Sequence, residues 1–152
     1  MITIREWREG DQKAYVSLSV EWLEKYVCVE PADIEIFNNI HRIILDPGGM
    51  VWFACDGETP VGTVSMIPMG DGNYELAKLA VTESYKRQGI AEQLMETAIA
   101  FAREKQCDRV VLLTNSGLVP AIRLYEKFGF VEVPPTDNEY ESADMEMILP
   151  LE

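Results

Sequence analysis

The stretch "YKRQGIAEQL", residues 85–94, sets Lys86 and Arg87 just ahead of Gly89 and then runs into a helical pattern. The chemistry it suits is anion binding. The first turn of a helix leaves backbone N–H groups unpaired and carries the positive end of the helix dipole. A glycine there lets a ligand approach the main chain, and two basic side chains add charge, so the turn suits phosphate oxygens. Neither G-x-x-x-x-G-K-[ST] nor G-x-G-x-x-G occurs, which excludes a Walker loop and a dinucleotide fingerprint. Alone, such a turn reads equally well as a plain helix start. Other chemistries find little here. Cys28, Cys55 and Cys107 are widely spaced with no Cys-x-x-Cys pair, and read as reduced, mostly buried thiols without zinc or disulfides. His41 is the only histidine; with no second histidine to pair with it, a solvated or core role is expected rather than a metal or catalytic one.

The elements that must hold this turn follow from periodicity. "ITIREW" alternates as a first strand, with Ile2 and Ile4 on one face. Asp11 is placed to cap a helix running to about Lys25, with Val16, Val20 and Leu23 as its apolar stripe. Pro31 opens a second helical stretch to about Leu45, which "DPGG" ends. "MVWFACDGETPVGTVSMI" reads as a hairpin turning at "DGETP", and "YELAKLAV" as a further strand. From Gly89 to about Lys105 the spacing of Ile90, Leu94, Ala98 and Phe101 is helical. "RVVLLTN" is a continuously apolar strand, Leu118 to Phe128 a helix stopped by Gly129, and the tail holds strands at 130–133 and 143–149. Hairpins followed by a β-α-β crossover predict an α/β fold with a mixed, mostly antiparallel sheet and helices on both faces. With 152 residues and no linker or repeat, one domain is expected over residues 1–152.

Composition narrows the partners. Hydrophobic residues make up 47% and charged residues 26%, ordinary values for a globular protein. No apolar run approaches the ~20 residues of a membrane span, and "MITIREWREG" has no signal-peptide character, so a cytoplasmic protein with no membrane partner is expected. The net charge is −13, unevenly distributed. Residues 78–127 carry eight basic and six acidic side chains, a surplus of +2 that leaves −15 for the rest. That disfavours nucleic acid, and the acidic remainder either attracts a cationic substrate or only keeps the chain soluble.

"LAKLAVTESYKRQGIAEQLMETAIAFA" followed by "AIRLYEKFGF" resembles the GNAT superfamily of N-acetyltransferases. The family's [QR]-x-x-G-x-[GA] turn corresponds to "KRQGIA", and its L-Y-E-x-x-G-F helix end to Leu124–Phe130. Lys86 departs from the pattern by replacing Gln or Arg, keeping charge and losing bidentate geometry. The resemblance implies that Lys86, Arg87, Gln88, Gly89, Ile90 and Ala91 hold the pyrophosphate of acetyl-CoA. It implies too that the main chain of Leu79, Ala80 and Val81 pairs with the pantetheine arm. Tyr125 matches the tyrosine that many family members use as general acid toward the departing thiolate; its i, i+4, i+7 spacing with Leu118 and Ile122 also fits a core ring. Asn115 is expected either to hydrogen-bond the pantetheine or to cap its turn. Glu75, fourteen positions before Gly89, matches the carboxylate base of the histone-acetylating branch, and partial burial would raise its pKa toward that task.

The function so implied is acetyl transfer from acetyl-CoA, with no metal, to a primary amine attacking directly in a ternary complex. The charge split favours a cationic small-molecule acceptor. The alternatives are a protein N-terminus or lysine as acceptor, or a non-catalytic acyl-CoA sensor. The expected assembly is a monomer or homodimer.

Overall fold

Period-two alternation divides the strands between two cores. Along β2 (Met50–Asp56), Val51, Phe53 and Cys55 pack on one face of the sheet, and Trp52 and Ala54 on the other. The computed structural model describes residues 1–151. Its elements run β1 (Ile2–Glu6), α1 (Gln12–Tyr26), α2 (Pro31–Phe37), a π-helical turn (His41–Leu45), β2, β3 (Thr59–Pro68) and β4 (Tyr74–Val81). There follow a 3-10 turn (Glu83–Tyr85), α3 (Ile90–Glu104), β5 (Arg109–Thr114), α4 (Val119–Lys127), β6 (Val131–Val133) and β7 (Met145–Pro150). All strands join one mixed, mostly antiparallel sheet in the order β1-β2-β3-β4-β5-β7-β6, and only β4 and β5 run parallel. Helices cover both faces. Tyr15, Leu18 and Leu23 of α1 and Phe37 of α2 close one core, and Ile90, Leu94, Met95 and Ala98 of α3 build the other.

The structure departs from the sequence expectation in local detail. The stretch from Pro31 to Leu45 is not one helix, because the side-chain amide of Asn39 donates to the Glu35 carbonyl at 2.8 Å. That carbonyl would otherwise take Asn39's own backbone N–H, which bonds Ile36 instead, and the α pattern ends. Asp11 precedes α1 without capping it. Its carboxylate accepts the Arg5 guanidinium at 2.8 and 3.0 Å and the Arg8 N–H at 2.6 Å. The buried face of α1 runs through Tyr15, Leu18, Ser19 and Leu23, with Val16 and Val20 at its margin. Cys55 and Cys107 are buried as expected, whereas Cys28 is exposed. No helix among the described residues is long and apolar enough to cross a membrane.

Candidate active site

The parallel neighbours β4 and β5 pair only at Tyr74–Val110 and Glu75–Val111, and beyond that point they part. The opening is deepened by a bulge in β4. Ser65 of β3 faces Ala77 and Thr63 faces Ala80, so Lys78 and Leu79 together oppose the single residue Val64. Lys78 adopts φ +58°, a left-handed conformation that costs a non-glycine residue about 1–3 kcal/mol. An inner cavity of ≈ 110 Å³ occupies the gap, walled by Leu76–Ala80 on one side and Leu112–Asn115 on the other, with α1 across it.

On one side the cavity adjoins a groove of ≈ 600 Å³ that reaches the basic turn, and Leu79, Ala80 and Tyr125 line both spaces. Val81, Lys86, Arg87, Gly89, Ile90 and Ala91 line that groove as well. Gln88 does not line it; what it offers is its backbone N–H. From Arg87 to Glu92 no backbone N–H donates to a protein acceptor among the described residues. The turn reaches this open array through left-handed backbone at Arg87 (φ +66°) and Gly89 (φ +77°). A Cβ on Gly89 would meet no protein atom within 4 Å; it would project into open space. The Lys86 ammonium is held by the Tyr26 hydroxyl at 2.5 Å and Glu83 at 3.1 Å. Glu21 in turn accepts from the Thr82 hydroxyl and the Glu83 N–H at 2.9 and 3.1 Å, docking the end of α1 on the turn.

Tyr125 is brought to the junction by α4, its ring against Phe130 at 6.1 Å. Burial pushes its phenol up to about 12, so it carries its proton throughout the neutral range. Its hydroxyl makes no hydrogen bond to protein among the described residues. Glu75 is half-buried at the opposite end, where the inner cavity meets an outer groove of ≈ 760 Å³. Desolvation raises its pKa to about 7, and the neighbouring Lys78 ammonium only partly offsets this. Asn115 lines the inner cavity with both polar atoms occupied. Its amide donates to the Ser142 carbonyl at 2.7 Å and its oxygen accepts the Gly117 N–H at 2.8 Å, so the turn-capping alternative is the one its hydrogen bonds follow.

The pairings of other residues at the site escaped the sequence reading. Lys78, 9% exposed, forms an ion pair inside the cavity with Asp33, 1% exposed, and its ammonium lies 3.5 Å from the Tyr140 hydroxyl. Glu30, at the start of α2, straps the loop before β7 over the cavity. It accepts the backbone N–H groups of Glu141 and Ser142 at 2.7 and 3.2 Å and the Ser142 hydroxyl at 2.5 Å. These bonds, the Ser142 hydroxyl first, hold the Glu30 pKa below its ordinary value. The one available signal was a lysine inside the apolar strand "YELAKLAV", which demands a buried counter-charge.

These pairings redistribute the acidic surplus. Asp11, Glu21, Glu30, Asp33 and Glu35 are spent on Arg5, the 82–83 turn, the strap, Lys78 and Arg42 respectively. The acids that line the outer groove without an ion-pair partner among the described residues are Glu75, Asp137, Glu139 and Glu146.

The sequence profile of the acetyltransferase (GNAT) family matches residues 6–130, most of the chain. The chain belongs to this family. Among GNAT relatives, rat N-acetyltransferase 8B is 38% identical over 146 residues, covering 80% of this chain and 66% of its own length. The chain spans from 39% to 66% of the length of the curated relatives it matches. The GNAT fold is shared with a GNAT-family acetyltransferase of Staphylococcus aureus Mu50, at TM-score 0.89 and 21% identity over 100% of both chains. It is shared too with a GNAT acetyltransferase of Elizabethkingia anophelis solved with acetyl-CoA bound, at TM-score 0.73 and 20% identity over 99% and 98% of the chains. No group of His, Cys, Asp or Glu able to hold a metal ion occurs among the described residues.

Proposed function

We propose that this chain is an acetyl-CoA-dependent N-acetyltransferase whose acceptor is a cationic small-molecule amine. The observation that carries the reading is the adjacency of three spaces along the parted strands, each sharing wall residues with the next. The cradle groove meets the inner cavity at Tyr125, and the inner cavity meets the acidic outer groove at Glu75.

In this reading the N–H groups of Arg87–Ala91, with Lys86 and Arg87, hold the pyrophosphate. The main chain of Leu79–Val81, which lacks a register partner on β5, pairs with the pantetheine arm. The thioester then lies at the bulge. The amine enters from the outer groove, where Asp137, Glu139 and Glu146 favour its ammonium form. An ammonium has no lone pair, so Glu75 takes one proton, directly or through water, before attack; a pKa near 7 suits that transfer. The free amine forms the C–N bond as the C–S bond breaks, and its nitrogen sheds the proton then in excess to solvent, as Glu75 does the proton it took. Backbone N–H groups of β4 stabilise the charge that gathers on the carbonyl oxygen. Tyr125 donates its proton to the departing sulfur, and solvent restores it.

Isothermal calorimetry with acetyl-CoA, followed by CoA release across a panel of amines, tests both halves. Saturable binding is expected, with thermal stabilisation of about 2.7 kcal/mol at 100 times the dissociation constant. No binding at millimolar acetyl-CoA overturns the assignment. Binding without CoA release from any amine points instead to an acyl-CoA sensor.

A further inference from the structure

Ser19 stands on α1 at 2% exposure, and its hydroxyl is a buried side-chain polar atom without a hydrogen-bond partner among the described residues. Buried hydroxyls are nearly always paired, because an unpaired one forfeits its bonds to water with nothing in return. The usual refuge of a helical serine, the carbonyl one turn back, is not taken. Ser19 lines the inner cavity on the same helix face as Trp22 and Leu23, across from the bulged stretch of β4 against which α1 packs. Trp22, one turn on, lines the cradle groove as well, while Ser19 lines neither groove. Ser19, with its orphan hydroxyl, therefore belongs to the wall of the inner cavity alone, apart from Glu75, Leu113 and Tyr140, which also line the outer groove.

We propose that Ser19 is an acyl-binding residue whose hydroxyl donates a hydrogen bond to the carbonyl oxygen of the thioester, alongside the backbone N–H groups of the β4 bulge. The inference rests on the acetyl-CoA reading above. Apart from its sulfur, a weak acceptor, the acetyl thioester offers one hydrogen-bonding atom, the carbonyl oxygen, and a hydroxyl is a fitting donor to it. The bond strengthens as that oxygen gains charge during attack, so Ser19 binds the acyl group in the ground state and favours its transfer more strongly.

The test compares acetyl-CoA with CoA, which lacks the carbonyl, and needs no knowledge of the acceptor. Calorimetry of the wild type and Ser19→Ala should show acetyl-CoA affinity falling roughly three- to ten-fold, with CoA affinity unchanged. The unliganded variant should melt at the same temperature or higher, because an unsatisfied polar group has been removed. Ser19→Cys restores the volume with only a weak donor and should behave as Ala does. Equal effects on both ligands, no effect on either, a destabilised unliganded variant, or recovery in the Cys variant each overturn the proposal. If the wild type binds neither ligand, the cofactor reading itself fails, which is distinct from a failure at Ser19.

Discussion

Glu75 and Tyr125 owe their poise to the same cause, burial, acting on opposite chemistries. Desolvation disfavours the charged form, so it raises the pKa of the Glu75 carboxyl to about 7 and keeps the phenol of Tyr125 protonated through the neutral range. With Glu75 as the base, kcat/KM should rise with pH through about 7, where its carboxyl loses its proton. Glu75→Gln should lose that limb, be most impaired at neutral pH and recover at alkaline pH as the amine deprotonates itself; a pH–rate profile measures this. Folding linkage runs the other way. A carboxyl with a raised native pKa binds protons more tightly folded than unfolded, so its contribution to stability declines as pH rises from the unfolded value toward 7. Glu75→Gln should therefore melt higher than wild type at pH 8, by roughly 2–4 °C for each kcal/mol relieved. Tyr125→Phe keeps the ring on Phe130 and removes a hydroxyl that no protein group uses. It should cut kcat on the order of tenfold or more with little change in acetyl-CoA affinity or melting temperature. An unchanged rate in single-turnover measurements would leave Tyr125 as a core residue only.

At the level of elements, the site exists because neighbouring strands fail to pair. β4 and β5 share a ladder over two residue pairs only, and beyond it the bulged Lys78–Leu79 stretch of β4 lines the cavity. The strap from Glu30 to the loop before β7 covers the inner cavity, and Tyr140 and Ser142 of that loop line its wall; in the proposed reading it bounds the acceptor's space. Glu30→Ala would leave two backbone N–H groups and a hydroxyl without their acceptor. Acceptor KM is expected to rise about tenfold while acetyl-CoA affinity holds, and the melting temperature to fall on the order of 5 °C. Steady-state kinetics and calorimetry separate the two sides. Because the Glu30 pKa is depressed on folding, the strap's contribution is present above the unfolded carboxyl pKa and is lost as pH falls through the folded one. The sequence signals these elements unevenly. Strands and helices follow their apolar periods, but Glu30 meets residues 141 and 142 across more than a hundred positions, and no local pattern encodes that meeting.

Across the whole molecule, charge is spent before it can steer. Five of the acids in the first third of the chain hold structure, whereas Asp137, Glu139 and Glu146 line the outer groove without an ion-pair partner among the described residues. Attraction of a cation by such a rim weakens as the Debye length falls below ~10 Å, above roughly 0.1 M salt. Acceptor KM should rise severalfold between about 0.05 and 0.5 M salt while kcat holds. Asp137→Asn with Glu139→Gln should flatten that dependence, with acetyl-CoA affinity unmoved. A best acceptor that is neutral or anionic, or a KM indifferent to salt, sinks the cationic assignment.

The chain by itself determined whatever repeats locally. The period-two runs specified the strands, the i, i+4 spacing of Ile90, Leu94 and Ala98 specified α3, and "KRQGIA" before that helix marked a turn of open backbone N–H groups suited to an anion, since helix ends and glycine act within a few residues. The candidates Glu75, Tyr125 and Leu79–Val81 were legible through their distance from that turn and the "LYEKFGF" helix end. The tertiary structure decided what depends on burial and on contacts distant in sequence. It set the raised pKa of Glu75, the pairing of Lys78 with Asp33, the engagement of Asn115 with Ser142, and the unpartnered hydroxyl of Ser19. A side chain's type fixes what it can donate or accept; only packing fixes whether water, protein or an empty cavity stands opposite it.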